Sequence, residues 1–178
     1  MIEVEVKARC SQDVMPKILA LGAAEKGVEN HCDVYFNSPH VDFRETDEAL
    51  RIRIKEGGAR LTYKGPKLDV RTKSRLELTV EINDPQAMQR ILVELDFWPS
   101  IEVKKRRTKY ALGDITFALD EVERLGSFLE IETHAQGDWE EKSMEVMNIL
   151  HQLGLGESIR KSYVELLEEQ LSGGSIKS

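Results

Sequence analysis

The chain has 178 residues, of which 40% are hydrophobic and 32% are charged, and this is sufficient for one well-cored globular domain. A net charge of −7 argues against a general nucleic-acid binder, because phosphate backbones are held by an excess of lysine and arginine. No run of about 18 apolar residues occurs, and no basic segment followed by an apolar run opens the chain, so we expect a cytoplasmic protein without a membrane partner.

The first predicted element is a strand with two unlike faces. Apolar and charged side chains alternate over residues 2–9, a pattern that is typical of a β-strand. One face is apolar and needs a core, whereas the other carries Glu3, Glu5 and Lys7. For a single strand, the solvated face of an antiparallel sheet would explain those charges.

Strands and helices then follow one another along the chain, and Gly57–Gly58 marks a hairpin. Further strands are predicted at about 26–36, 50–55, 60–64, 75–82, 101–110, 115–120 and 128–132. Helices are predicted at about 12–21, 85–97, 139–153 and 159–167. This order indicates an α+β protein with one antiparallel sheet of about eight strands. We expect a single domain over 1–170 and a disordered tail over 171–178.

Local signals mark where the later helices begin and end. Asp84 before Pro85 favours a helix start, and Asp138 with Glu141 predicts a capping box. Ser158 is the candidate cap of the last helix, and Trp98–Pro99 is expected to end the second. The segment up to Asp47 is expected to be a mobile loop.

Neither the cysteines nor the histidines have the spacing of a metal or redox site. Cys10 and Cys32 form no CxxC pair, so we expect reduced, packed thiols. The four histidines are expected on the surface or in loops; they are His31, His40, His134 and His151.

At least six strands share an apolar face and a face on which acids and bases come in short blocks. If the sheet closes and helices cover its outside, the charged faces line a tunnel. Its acids would be Glu3, Glu5, Glu77, Glu81, Asp120, Glu130 and Glu132, and its bases Lys7, Arg51, Arg53, Lys55, Arg60, Lys64 and Arg75. Carboxylates suit Mg²⁺ or Mn²⁺ and cations suit phosphate, so the pattern favours a metal-bound polyphosphate. On alternation alone, the tunnel and a solvated sheet face are equal alternatives, and the inward face of the basic strand 101–110 is undetermined.

An ordered series of motifs carries a family resemblance. They are ExExK at 3–7, DVYF at 33–36, LRIR at 50–53, LTYKGP at 61–66, Arg75-x-Glu77 with Glu81, the basic strand, Asp120 and FLEIE at 128–132. The series resembles the CYTH superfamily, which joins class IV adenylate cyclases with thiamine and inorganic triphosphatases. The resemblance covers residues 1 to about 167. It implies a closed eight-stranded antiparallel β-barrel, the triphosphate tunnel fold, with helices packed outside.

The resemblance also implies roles for individual residues. Divalent metal would be bound by Glu3, Glu5, Asp120 and Glu130, with Glu132 as a further candidate. Triphosphate would be bound by Lys7, Arg51, Arg53, Lys64, Lys105 and Arg107, which places Lys105, Arg107 and Lys109 inward. Catalysis would centre on Glu3, Glu5 and Lys7. Thr79 stands where many relatives have another acid, which leaves open whether Glu77 and Glu81 bind metal or pair with Arg75.

By this resemblance the protein is a Mg²⁺- or Mn²⁺-dependent enzyme with a nucleotide or other triphosphate as substrate. YKGP and residues 160–167 look most like the class IV adenylate cyclase branch, which converts ATP to cyclic AMP and pyrophosphate. The alternatives are a triphosphatase and a non-catalytic phosphate-ligand sensor. Tyr163 could close the tunnel or pack in the core, and the family is compatible with a homodimer whose interface the sequence does not show.

Overall fold

The eight strands form a closed antiparallel barrel, with order β1-β5-β4-β3-β2-β6-β7-β8. The computed structural model describes residues 2–68 and 75–173. The strands are β1 Ile2–Arg9, β2 Ala24–Asn37, β3 Ala49–Lys55, β4 Gly58–Lys67, β5 Arg75–Ile82, β6 Trp98–Leu112, β7 Ile115–Val122 and β8 Gly126–Ala135. The helices are α1 Val14–Ala20, α2 Pro85–Glu94, α3 Trp139–Gln152 and α4 Tyr163–Gly173. The α+β class and the closed barrel with outer helices are therefore confirmed.

Helices cover the apolar outer face of the barrel. Val4 and Val6 of β1 are fully buried in a core that also contains Ile18 of α1 and Leu150 of α3. The inward face of β1 is buried as well, since Lys7 has no exposed surface. A strand of alternating character is thus buried on both faces, and the solvated-face alternative is wrong for β1.

Several predicted boundaries were wrong. Trp98 and Pro99 lie in β6, which begins where the preceding helix was expected to end. Asp138 makes no side-chain capping hydrogen bond, so the predicted box at α3 does not form. A capping box forms instead at α4, which begins at Tyr163, so Ser162 and not the predicted Ser158 is the cap. The Ser162 hydroxyl accepts from the Glu165 backbone N–H at 3.2 Å, and the Glu165 carboxylate accepts from the Ser162 backbone N–H at 2.6 Å.

The chain ends in a longer helix than the sequence indicated. Helix α4 continues to Gly173, so residues 171–173 are helical rather than part of a disordered tail. The rest of that predicted tail lies outside the described residues. Among the described residues, no helix has the length and apolar character needed to span a bilayer.

Candidate active site

The inward faces of the strands enclose a cavity of about 260 Å³. Except for Asp120, every residue with a predicted catalytic, metal-binding or triphosphate-binding role lines this cavity: Glu3, Glu5, Lys7, Arg51, Arg53, Lys64, Lys105, Arg107, Glu130 and Glu132. They come from five different strands. Barrel closure therefore places residues that are far apart in sequence around one space. Glu81 was predicted to line the tunnel, but its side chain is 81% exposed and does not line the cavity.

The basic strand β6 presents Lys105 and Arg107 inward. Their side chains are 2% and 5% exposed, whereas those of Lys104 and Arg106 are 57% and 53% exposed. Lys109 also lines the cavity. The inward placement implied by the resemblance is confirmed for this strand.

Asp120 lies behind the cavity wall and is saturated with hydrogen bonds. Arg107 donates to both of its oxygens at 2.6 Å, Lys105 donates at 2.8 Å, and the Tyr163 hydroxyl donates at 2.9 Å. Burial raises the pKa of the Asp120 carboxyl, but the two cations outweigh it and hold that pKa below its ordinary value. Three of these hydrogen bonds go to Oδ2 and one goes to Oδ1, and the predicted metal role of Asp120 stays a prediction.

The segment that leads into α4 closes this end of the barrel. The Tyr163 ring lies 4.0 Å from the Lys7 ammonium and 4.8 Å from that of Lys105, within the range of cation–π attraction. Its edge packs on Phe128, and the backbone N–H of Ile159 donates to the Lys7 carbonyl at 2.6 Å. Tyr163 thus both lines the cavity and packs in the core. We call Lys7, Lys105, Arg107, Asp120 and Tyr163 the closed end.

Carboxylates crowd another part of the cavity. Glu3 and Glu5 of β1 lie near Glu132 of β8 and Glu77 of β5, and we call these four the acidic wall. Lys64 donates to Glu3 and lies 2.9 Å from Glu77. Burial raises the pKa of Glu3 to about 8; Lys64 opposes this rise, and the three neighbouring carboxylates add to it. The acidic wall therefore has more negative charge than its lysine neutralises.

The acidic wall fits a divalent cation. Hard carboxylate oxygens are the donors that Mg²⁺ and Mn²⁺ prefer. Burial is the main cause of the raised pKa of Glu3, and such an ion would offset the further rise that the neighbouring carboxylates cause. Among the described residues, no three His, Cys, Asp or Glu side chains already stand in a metal-binding arrangement. Glu3, Glu5 and Glu132 would therefore have to turn toward the ion.

The arginines of β3 are positioned by Asp33, which lies on β2 and is 1% exposed. Arg53 donates two hydrogen bonds of 2.7 Å to it, and Arg51 lies 3.6 Å away. Burial raises the pKa of the Asp33 carboxyl, but the arginines reverse the shift and keep it ionised. Asp33 was named in the sequence analysis only as part of the DVYF motif, without a role. In the structure it orients Arg51 and Arg53, two candidates for phosphate binding.

The end of the barrel opposite the closed end is more exposed to solvent. Glu29 lies 2.6 Å from Lys55 and 2.9 Å from Lys109, and these three side chains are 23–32% exposed. Arg60 pairs with Glu81 at 3.1 Å, with exposures of 49% and 81%. We call Glu29, Lys55, Arg60 and Lys109 the solvent-facing end.

One predicted alternative was that Glu77 and Glu81 pair with Arg75, and the ion pairs described for these residues of β5 are different. The described partners of Glu77 and Glu81 are Lys64 and Arg60 of the neighbouring strand β4, and Arg75 lies 3.8 Å from Asp47. Adjacent strands bring these side chains opposite one another.

Sequence reasoning missed the inward face of β2. His31 was expected on the surface or in a loop, but it is 4% exposed and lines the cavity with Glu29 and Tyr35. His134 lines the cavity too, from the exposed part of β8. The signal was present, because residues 29–35 alternate polar inward and less polar outward positions as β1 does.

Comparisons with known proteins agree with the geometry. A family model described as the CYTH domain matches residues 1–163. A Methanocaldococcus jannaschii protein named "Putative adenylate cyclase MJ0240" is 42% identical over 173 residues, covering 93% of this chain and 98% of that protein. The structure of the PH1819 protein from Pyrococcus horikoshii is 41% identical, with a TM-score of 0.89 and coverage of 94% and 99%.

A more distant structure has the same fold. A Hippeastrum protein, described as a candidate adenylyl cyclase with a dominant triphosphatase activity, has a TM-score of 0.69 and covers 95% of each chain. At 17% identity this similarity shows the fold alone.

Proposed function

Because this chain belongs to the CYTH domain family, we propose that it is a metal-dependent enzyme that converts ATP to cyclic AMP and pyrophosphate inside its barrel. The observation that carries the proposal is that an acidic wall and a set of buried cations line one cavity. Such a space suits a substrate that brings both a divalent cation and phosphate oxygens. The cyclase branch is supported by the name of the 42% identical relative.

The cations would bind the triphosphate. They are Lys7, Arg51, Arg53, Lys64, Lys105 and Arg107. Asp33 holds Arg51 and Arg53 in place, so their planar guanidinium groups need little rearrangement to bind phosphate oxygens. Lys64 would exchange part of its contact with Glu3 and Glu77 for a phosphate oxygen, which leaves those carboxylates for the metal.

Mg²⁺ or Mn²⁺ would be held by Glu3, Glu5 and Glu132, with Glu130 and Asp120 as further candidate ligands. When bound, such an ion neutralises phosphate charge and lowers the pKa of an attacking hydroxyl. The chain itself supplies orientation and exclusion of water: α4 closes one end, and the buried lysines and arginines fix the substrate's direction.

In the cyclase reaction the ribose 3′-oxygen attacks the α-phosphorus and the bond to the β-phosphate breaks. The hydroxyl proton passes to solvent, and pyrophosphate leaves. The cations gain stabilising contact as negative charge develops on the leaving group. No single side chain is assigned as the general base.

A triphosphatase is the second candidate, and the cavity lining favours it. The side chains around the cavity are almost all charged or polar, with Ala49 as the described apolar exception and Tyr35 and Tyr163 as aromatic ones. A lining of this kind suits a substrate that is mostly phosphate. Water would then attack a terminal phosphorus of an inorganic, thiamine or nucleoside triphosphate.

Incubation of the purified protein with ATP, tripolyphosphate and thiamine triphosphate would test both candidates. Each substrate is combined with Mg²⁺ or Mn²⁺, and cyclic AMP is separated from orthophosphate. We expect cyclic AMP from ATP. Orthophosphate without cyclic AMP would assign the triphosphatase reaction, and recovery of bound, unchanged substrates would identify a non-catalytic sensor.

A further inference from the structure

One ring nitrogen of His31 is buried without a partner in the wall of the cavity. The His31 side chain is 1% exposed, and its Nε2 lies 2.8 Å from a Glu29 carboxylate oxygen. Its Nδ1 has no hydrogen-bond partner within the part of the chain that the structure describes. A buried polar nitrogen left unpaired costs free energy, so this position calls for a ligand.

The contact with Glu29 fixes the proton on the ring. A carboxylate only accepts, so Nε2 must donate to Glu29 and the proton resides there. Burial, followed by Arg53, lowers the pKa of His31 to about 4, so the ring is neutral at physiological pH. Nδ1 is consequently a hydrogen-bond acceptor in a cavity whose other side chains are mostly cations and carboxylates.

The cations beside His31 already donate elsewhere. Lys105, its register partner on β6, donates to Asp120 at 2.8 Å. Arg53 donates two hydrogen bonds to Asp33. Neither cation is hydrogen-bonded to Nδ1 within the part of the chain that the structure describes, so this acceptor is available for a donor that enters with the substrate.

His31 lies on β2 between Tyr35, which faces the closing segment, and Glu29 of the solvent-facing end. Tyr35 of β2 lies near Ser162 and Val164 of the closing segment. His31 comes four residues earlier on the same strand, which is about 13 Å away at the rise of an extended chain. Arg53 and Arg51 lie opposite Asp33 and Tyr35, closer to the closing segment than His31 does. Phosphates held by these two arginines would leave the organic part of the substrate at the level of His31.

We propose that His31 is a specificity-determining residue, whose Nδ1 accepts a hydrogen bond from an N–H or O–H group on the organic part of a triphosphate. The inference rests on the proposed triphosphate substrate and deepens it, since inorganic tripolyphosphate offers only acceptor oxygens when ionised. An organic triphosphate gains one hydrogen bond at this position and tripolyphosphate gains none.

Two substitutions separate the two ring nitrogens. H31N keeps an acceptor oxygen near the position of Nδ1 and loses the contact with Glu29. H31Q keeps a donor near the position of Nε2 and loses the acceptor. Both are tested by kcat/KM with ATP, thiamine triphosphate and tripolyphosphate, and by calorimetric binding of α,β-methylene-ATP, each with Mg²⁺.

We expect H31Q to lower kcat/KM for the preferred organic triphosphate, and affinity for the analogue if that substrate is ATP, by about 10-fold. Tripolyphosphate should be unaffected, and H31N should stay close to the wild type. Equal losses for organic and inorganic substrates, or no loss in H31Q, would overturn the proposal. A wild-type protein that uses only tripolyphosphate would overturn it while leaving the triphosphatase candidate intact. A protein that binds none of the three would overturn the proposed function itself.

Discussion

The two ends of the barrel use the same residue types in opposite surroundings. At the closed end, Asp120 is 0% exposed and Lys105 is 2% exposed, and every oxygen of the carboxylate is satisfied by a charged or hydroxyl donor. At the solvent-facing end, Arg60 and Glu81 pair at 3.1 Å with 49% and 81% exposure. A similar contact distance thus occurs once in a dry environment and once in water.

The difference shows that an ion pair's distance does not set its energetic weight. Removing one partner from a buried, hydrogen-bonded network leaves an uncompensated charge, whereas water replaces a lost partner at the surface. We expect the closed end to set stability, and the wetter parts of the cavity to admit and discriminate ligands.

Asp120→Ala should lower the free energy of unfolding by about 3–5 kcal/mol, because Lys105 and Arg107 lose their shared carboxylate in a buried site. Urea-induced unfolding at fixed ionic strength measures it. Glu81→Ala, at the exposed pair, is the matched control. A loss below about 1 kcal/mol for Asp120→Ala would contradict the division between the two ends.

Glu5→Gln should reduce turnover by about 10²- to 10³-fold, because the acidic wall loses a charged metal-ligand candidate. The melting temperature should stay the same or rise, since Glu5 contributes to the repulsion that raises the pKa of Glu3. Glu25→Gln, on an exposed part of β2, controls for a simple change of net charge. Full activity in Glu5→Gln would refute the metal assignment.

Tyr163→Phe should cost about 1.5–3 kcal/mol of stability, because Asp120 loses a hydroxyl donor at 2.9 Å while the ring stays beside Lys7. Tyr163→Leu removes the ring too and should cost about 0.5–2 kcal/mol more. Chemical denaturation of both variants gives the two contributions separately. If the two variants are equally stable, the ring contacts contribute nothing measurable.

The burial of His31 predicts a pH-dependent stability. Its pKa falls from 6.5 to about 4 on folding, so above 6.5 both states are neutral and the stability is complete. Between 6.5 and 4 the unfolded chain takes up the proton first, and stability is lost as pH falls. Measured from pH 7 to 5, the wild type should lose about 1–2 kcal/mol more than His31→Gln. The charged groups that set the shift are Glu29, Arg53, Lys105 and Arg107. Parallel pH profiles for the two proteins would show that His31 is solvated.

Glu81→Gln should change the free energy of unfolding by less than about 1 kcal/mol, and added salt should remove even that difference. Unfolding in low and high salt tests this. An effect as large as that of Asp120→Ala would mean that exposure is a poor guide to energetic weight in this barrel.

Most of the site residues could be predicted because each strand signals its inward face locally. Alternation placed Glu3, Glu5 and Lys7 on one face. The ordered motifs indicated a closed barrel, in which such faces point inward. His31 and Glu29 follow the same alternation. They were missed because a histidine among charged residues is also typical of a surface, and a single strand cannot show what covers it.

The strands, their apolar faces and the residue types around the cavity follow from the amino-acid sequence, because a side chain's face in a strand depends only on its position in the repeat. Which acidic and basic side chains pair with one another follows only from the tertiary structure. Asp120 is taken by Arg107, Lys105 and Tyr163, and Glu77 by Lys64, because barrel closure and helix α4 set neighbours across strands. Burial, which differs between the two ends, follows from that closure and not from the local pattern.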